Sequence, residues 1–359
     1  MSTKQTARLA AVQAAPVWLD RDATIEKACA LIEEAGAGGA DIVGFPENFI
    51  PGHPVWYYFY PATSEKSMAL ATKLFQQSVE FPSSGVDALR RAAARAGVTV
   101  IMGLTERMPG TTGTLYNTQL VIDADGQITG KHQKLVPTIG ERMVHTGGLP
   151  ETQRTFPSQF GQISALACGE NSNPLAVGMI ASAYPTVHVA SWPNHFIPAY
   201  CGMRESSLLA SRNIAYMAKC FVISACGINS EEMIADLAAT EADEAFLRDV
   251  SKQGGTAIIS PAADVIAGPM DGDVEGILYA DVDFEACIRG RLVHDVAGHY
   301  NRSDVYRLFV NNAPSQLVAA GTRDYAPALP QQAAPAALDH RALELEAGSD
   351  VPSAVVALT

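Results

Sequence analysis

The sequence predicts an α/β sandwich built on mixed sheets, and three observations lead there. Short apolar, β-branched runs alternate with segments of helical periodicity as far as about Asn312. A reversal between two strand-like runs, at Asp123-Ala124-Asp125-Gly126, breaks that alternation and adds antiparallel pairing. The composition, 48% hydrophobic and 18% charged, supplies enough apolar surface for a sizeable core.

The elements follow in order. Residues 6–13 read as a buried strand, and a helix starts near Asp20 with Ile25, Ala28, Leu31 and Ile32 on one face. Gly36-Ala37-Gly38-Gly39 stops it, and residues 41–45 form a second strand, completing a βαβ unit. Helical patterns cover 64–77 and 86–96, and 98–104 suits a central strand. Residues 115–122 and 127–134 flank the reversal as a hairpin. Residues 162–167 form another apolar strand, after which Asn173-Pro174 has the look of an N-cap and a first helical position. Strands at 186–191, 221–225, 257–260 and 276–282 bracket a long helical pattern over 204–219, and no internal repeat is visible.

At 359 residues the chain fits one large domain, 1–312, with a tail at 313–359. The tail is rich in Ala, Pro and Gln, and is expected to be partly disordered or pinned in contacts between subunits. A net charge of −13 without a Lys/Arg cluster argues against nucleic acid as a partner. No apolar run reaches the roughly 18 residues a membrane span needs. The first five residues lead into a strand rather than a signal-peptide core, so a cytoplasmic location is expected. Six scattered cysteines make no disulfide framework, and the absence of CxxC, HExxH or HxH spacing leaves no metal or other cofactor to expect.

Ligands collect outside the carboxyl ends of strands in α/β sheets. Three polar segments fall at such ends. Phe45-Pro46-Glu47-Asn48 brings a carboxylate, Lys131-His132-Gln133-Lys134-Leu135 a cation, and Ala167-Cys168-Gly169-Glu170-Asn171 a thiol. A carboxylate can take the thiol proton, an ammonium can stabilise negative charge on the attacked group, and Gly169 could turn its N–H inward as an oxyanion donor. From spacing alone, a lone cysteine such as Cys168 at a strand end is more often a packed core residue than a nucleophile, and Glu47 and Lys134 read as a cap or a surface ion pair.

These segments also carry a resemblance. Phe45-Pro46-Glu47, then residues 131–138 (KHQKLVPT) with Glu141-Arg142, then Cys168-Gly169-Glu170-Asn171 with Pro174-Leu175, resemble the three signature blocks of the nitrilase superfamily in their order and separations. The likeness runs from about Arg8 to Asn311, taking in Tyr116-Asn117-Thr118 and residues 298–305. The Cys-x-Glu-Asn-x-x-Pro-Leu and Lys-Leu-x-Pro-Thr-x-x-Glu patterns, with residues 51–56 (PGHPVW), are most similar to the branch that hydrolyses nitriles.

The resemblance implies a four-layer α-β-β-α sandwich, with Glu47 as general base, Lys134 as electrostatic stabiliser, Cys168 as nucleophile, and Glu141 orienting Lys134 and the attacking water. The implied reaction converts a nitrile, through a thioimidate and an acyl-thioester on Cys168, to an acid and ammonia; release of an amide is the side path. Trp56, Tyr57, Gly169, Trp192, Pro193, Asn194 and His195 are candidates to line the substrate pocket, with core packing the other reading for each aromatic. Asn117 is expected to be a structural hydrogen-bonder near the hairpin. His145-Thr146-Gly147-Gly148, Gly169 and Asn173 depart from the commoner family residues and leave the nitrile class open. A homo-oligomer is implied too. An amidase of the same superfamily, or a binding or redox-sensing protein using Cys168 as a reversible thiol, remain the alternatives.

Overall fold

The computed structural model describes residues 4–194, 202–311 and 313. The amino-terminal half supplies strands β1 (Thr6–Gln13), β2 (Ile42–Gly44), β3 (Val79–Glu80), β4 (Thr99–Arg107), β5 (Leu115–Ile122) and β6 (Ile128–Gln133). The rest supplies β7 (Phe156–Ser158), β8 (Gly161–Ala167), β9 (Pro185–Trp192), β10 (Phe221–Cys226), β11 (Ala257–Ile259), β12 (Val265–Ala267) and β13 (Gly276–Asp283). Helices α1 (Arg21–Ala37), α2 (Glu65–Gln77), α3 (Ser84–Ala96), α4 (Pro174–Ser182) and α5 (Met203–Ala218) lie between them. They are followed by α6 (Glu231–Leu237), α7 (Glu241–Leu247) and α8 (Glu285–Val293).

Two mixed sheets result. One runs β13-β1-β2-β4-β5-β6, with β3 beside β4, and the other runs β12-β11-β10-β9-β8-β7. In each, three adjacent strands are parallel (β1, β2, β4; β8, β9, β10) and antiparallel strands flank them. Strand alternation then builds the layers. Leu9, Ala11, Ile42, Ile101 and Val121 point at Ile163, Val187, Val189, Ile223 and Ile258 of the second sheet, forming the central core. The opposite face of the first sheet, with Ala10, Val12, Val43 and Val100, packs on Ile25, Ala28 and Ile32 of α1 and Leu89, Ala92 and Ala93 of α3. The outer face of the second, with Leu166, Ala190 and Val222, packs on Val177 and Ile180 of α4 and Ile214 and Ala215 of α5. This is the α-β-β-α sandwich.

Helix ends match the capping residues in the sequence. Asp20 accepts from the Ala23 N–H, Ser64 from Ser67 and Asn173 from Leu175, while Gly97 ends α3 in the left-handed region. What the pattern did not reveal is short: β3, β7, β12, α6, α7 and α8, and the one-turn 3₁₀ segments. Pairing of β13 with β1, from Thr6 against Asp283 to Gln13 against Gly276, is likewise a tertiary event. The expected tail lies outside the described residues apart from Ala313.

Candidate active site

The carboxyl ends of β2, β6, β8 and β9 meet at one edge, where the sheets are tied together. The Glu47 N–H donates to the Trp192 carbonyl at 3.2 Å and Ser191 Oγ to the Phe45 carbonyl at 2.8 Å. Gln119 Nε2, from β5, reaches Ser191 Oγ at 2.8 Å. Residues 46–48 turn over β4 so closely that a Cβ on Gly103 would stand 2.0 Å from the Pro46 carbonyl oxygen, so only glycine fits there.

Glu47 leaves β2 into this crossing and is 3% exposed. Its Oε1 accepts from Lys134 Nζ at 2.8 Å and Asn117 Nδ2 at 2.6 Å, while Oε2 is buried without a partner. Burial raises this carboxyl, the nearby Glu141 charge adds to that, and Lys134 and Asn117 only partly offset it; its pKa stands at about 7.

Lys134 follows β6, where its own N–H donates to the Asn117 carbonyl at 2.8 Å. The buried ammonium also donates to Glu141 Oε2 at 2.6 Å. Burial alone would lower its pKa, but the Glu141 and Glu47 carboxylates outweigh that and hold it well above the ordinary lysine value. Glu141 sits on a 3₁₀ turn, Ile139–Met143, whose cap it forms by accepting from the Thr138 N–H at 2.9 Å. Its Oε1 accepts from Asn117 Nδ2 at 2.7 Å and His145 Nδ1 at 3.1 Å. Burial opposes ionisation here as well, yet Lys134 and His145 drive its pKa well below the usual carboxylate range.

Cys168 stands where β8 becomes a second 3₁₀ turn, Cys168–Ser172, and its φ of +47° is left-handed. Such a conformation is uncommon for a residue with a Cβ and costs about 1 kcal/mol or more. The turn is locked from both ends. Glu170 accepts from the Ala167 and Leu135 N–H groups and from His132 Nε2. Asn171 Nδ2 donates to the Cys168 and Leu166 carbonyls, its Oδ1 held by His188 Nε2 at 2.8 Å. Burial, then the charge of Glu47, pushes the Cys168 thiol far up, while the Gly169 N–H and Lys134 favour the thiolate. The resting group is therefore a neutral thiol. Asn48 and Ile139, on the other two segments, are left-handed too, at φ +46° and +47°.

The thiol opens on a cavity of about 500 Å³, lined by Thr138, Gly169, Ser172, Trp192, Met203 and Leu209 among others. Of the residues expected to line it, Gly169 and Trp192 do, the indole N–H of Trp192 donating to Ser211 Oγ at 3.2 Å. Trp56 does not: it is fully buried in another cluster, edge-on to Trp18 with centroids 6.2 Å apart. Tyr57 packs on Trp56, Pro193 is buried just after β9, and Asn194 donates its side-chain N–H to Asn229 Oδ1, none of them on the cavity wall. His195 lies outside the described residues.

Sequence reasoning placed Asn117 near the hairpin; the structure puts its amide across both Glu47 and Glu141. It missed His145, which holds Glu141 and lies 3.3 Å from Thr105 Oγ1 through Nε2. It also missed Tyr58, whose hydroxyl pKa is raised by burial and then by the charges of Cys168 and Glu141. A histidine four residues after Glu141 on a turn was the available signal for the first; nothing in the sequence pointed to the second.

Fold and site together define a class, that of α/β sandwiches confronting a thiol with a buried Glu-Lys-Glu set. Comparison with known proteins narrows it. A family described as Carbon-nitrogen hydrolase matches residues 8–291. A protein named nitrilase from Bacillus sp. (strain OxB-1) is 37% identical over 84% of this chain and 87% of its own length. An aliphatic nitrilase from Rhodococcus rhodochrous is 36% identical over 85% and 83%, and an arylacetonitrilase from Aspergillus niger 31% identical over 90% and 98%. The crystal structure of a carbon-nitrogen hydrolase from Helicobacter pylori G27 superposes with a TM-score of 0.64 at 17% identity, covering 84% of this chain and 97% of that one. The chain belongs to the carbon-nitrogen hydrolase family, within the nitrilase superfamily.

Proposed function

We propose that this chain hydrolyses nitriles to carboxylic acids and ammonia, with Cys168 as nucleophile, Glu47 as general base, Lys134 as electrostatic stabiliser, and Glu141 orienting Lys134 and the attacking water. The observation that carries the reading is the state of Glu47: one oxygen is committed to Lys134 and Asn117, the other is unpartnered, and the group titrates at about 7. A buried neutral thiol beside such a carboxylate has a base matched to neutral pH. Relatives named nitrilase at 35–37% identity over most of the chain support the substrate.

In the first step the thiol proton passes to Glu47 and the Cys168 sulfur bonds to the nitrile carbon. The C≡N π pair collects on nitrogen, which takes the proton, giving a thioimidate. Lys134 Nζ and the Gly169 N–H stabilise the charge that develops. Water, deprotonated by Glu47, adds to the same carbon, and the tetrahedral species expels ammonia to leave an acyl-thioester. A second water releases the acid and restores the thiol, so one nitrile and two waters give one acid and one ammonia. Expulsion of the thiolate instead of ammonia releases the amide.

Incubating the protein with a nitrile panel and the matching amides, with ammonia, acid and amide quantified, tests this. Acid and ammonia from nitriles are expected; hydrolysis of amides alone would make the protein an amidase. We further propose a cytoplasmic homo-oligomer with the catalytic domain at 1–312 and the tail at 313–359 in subunit contacts. Exposed Leu209, Leu292 and Val293, each at least 74% accessible, and the free state of the described cysteines support this. Sedimentation velocity of the full chain reads the assembly directly.

A further inference from the structure

To act as a base Glu47 must ionise, and then Lys134 alone stands between two buried carboxylates, one negative charge too many for a site closed to water. Two buried histidines lie near Glu141. Burial holds His53 neutral, its pKa down at about 3. His145 is placed differently. Its own N–H donates to the Glu141 carbonyl at 2.9 Å and the Thr146 N–H to the Leu115 carbonyl of β5 at 2.7 Å, which sets the ring with Nδ1 3.1 Å from Glu141 Oε1. An ionised Glu141 can only accept, so Nδ1 carries a proton. On the far side Nε2 lies 3.3 Å from Oγ1 of Thr105 on β4. That hydroxyl donates to Asn48 Oδ1 at 3.4 Å, and Asn48 Nδ2 donates to His53 Nδ1 at 2.9 Å. Thr105 has one proton to give, and Asn48 receives it. What it offers His145 is a lone pair, which Nε2 fills only by carrying a proton as well.

We propose that His145 is an imidazolium, the second cation of the site, and a positioning residue: by sharing Glu141 with Lys134 it leaves the lysine charge to Glu47 and keeps that base ionised. The inference rests on the reading of Glu47 as the general base of a nitrile hydrolase. It concerns a stretch, residues 145–148, where the chain departs from the commoner family residues. The charged and titratable groups gathered around it are Glu141 on its own turn, Lys134 after β6, Glu47 after β2 and His53, with the neutral Cys168 and Tyr58 beyond. Glu106, next to Thr105 on β4, points to the other face of the sheet and pairs with Lys131.

The test is the pH dependence of two rates in the full-length protein and its His145→Gln and Thr105→Val variants. One is kcat/KM for propionitrile; the other is alkylation by iodoacetamide, followed at the Cys168 peptide by mass spectrometry. Loss of a neighbouring positive charge makes a carboxyl harder to ionise, so in His145→Gln the acid limb of both rates should move up from about 7 by about one pH unit. The variant should then be about tenfold slower near pH 6 and recover most of its rate above about pH 8.5. Thr105→Val removes the lone pair the imidazolium needs and should move the limb the same way by less. It leaves His145 and Glu141 in place, so the test holds if His145→Gln folds poorly. A purely structural role would slow both rates by one factor at every pH; an unmoved limb in both variants, or one that moves down, overturns the proposal. Absence of the limb from both rates in the parent protein removes Glu47 as the base, and the proposal with it. If the limb appears and shifts in alkylation while no nitrile is turned over, the nitrile-hydrolase reading fails and the charge on His145 stands.

Discussion

Glu47 and Glu141 both accept a hydrogen bond from the same Lys134 ammonium, yet their pKa values are pushed in opposite directions. Burial raises both. In Glu141 all the acceptor capacity is used, by Lys134, Thr138, Asn117 and His145, and the ionised form wins. In Glu47 one oxygen is idle, and the proton is held up to about pH 7. Since the base must be ionised to accept the thiol proton, kcat/KM should rise with pH through about 7, and Glu47→Gln should remove that limb while lowering kcat about 10²–10⁴-fold. A pH-rate profile that is flat across neutrality in the parent protein would contradict the assignment. Linkage gives a second readout. Because the folded value of Glu47 lies above its unfolded one, its contribution to stability is complete below about pH 4.5 and is lost as pH rises through about 7. Glu141 has the opposite sign, stabilising above its unfolded value and lost on acidification. Melting temperatures of Glu47→Gln relative to the parent should therefore improve steadily from acid to mildly alkaline pH. Lys134→Ala leaves two buried carboxylates without their cation and should cost about 3–5 kcal/mol in denaturant unfolding.

The elements that deliver these side chains are short and tightly constrained. Two 3₁₀ turns carry Glu141 and Cys168, and each of the three site segments holds a left-handed residue that bears a Cβ. Ile139 is the most telling, since β-branched residues rarely tolerate that region. Such strain persists only where neighbouring contacts over-determine it, here the Glu141 cap, the Glu170 and Asn171 hydrogen bonds, and the crossing of residues 46–48 over β4. Gly103 makes that crossing possible. Gly103→Ala sets a methyl against the Pro46 carbonyl and should cost about 1–3 kcal/mol. It should also displace Glu47, so kcat would fall at temperatures where thermal unfolding shows the variant still folded; unaltered kcat would show that the crossing is not what positions the base.

Across the whole molecule, the sheets are held face to face by the central core and at the site edge by the Glu47–Trp192 and Ser191–Phe45 hydrogen bonds. Glu47 and Cys168, the proposed base and nucleophile, follow strands of different sheets, so the distance between them depends on that packing. Ile223, fully buried between the sheets, would make close contact with any Cβ on Gly44. Ile223→Ala should cost about 2–5 kcal/mol, read from urea or thermal unfolding; a negligible loss would place the main stabilisation in the outer helix layers.

Much of this was legible in the sequence because it depends on local periodicity and residue chemistry. The strands at 6–13 and 115–122, the helix starts near Asp20 and Ser64, the cap at Asn173, and the polar residues at strand ends follow from hydrophobic alternation, side-chain capping and the need to turn. The ordered blocks around Glu47, Lys134 and Cys168 carried the family. Tertiary structure decided the rest, since it depends on groups far apart in the chain. It paired β13 with β1, laid one sheet on the other, and sent Trp56 into the core while bringing Trp192 to the cavity. It also set Asn117 across two carboxylates and His145 behind one of them. Desolvation and neighbouring charge exist only once those groups are brought together, which is why the sequence points to Glu47 and Cys168 as the proposed base and nucleophile while the folded chain alone fixes when each holds its proton.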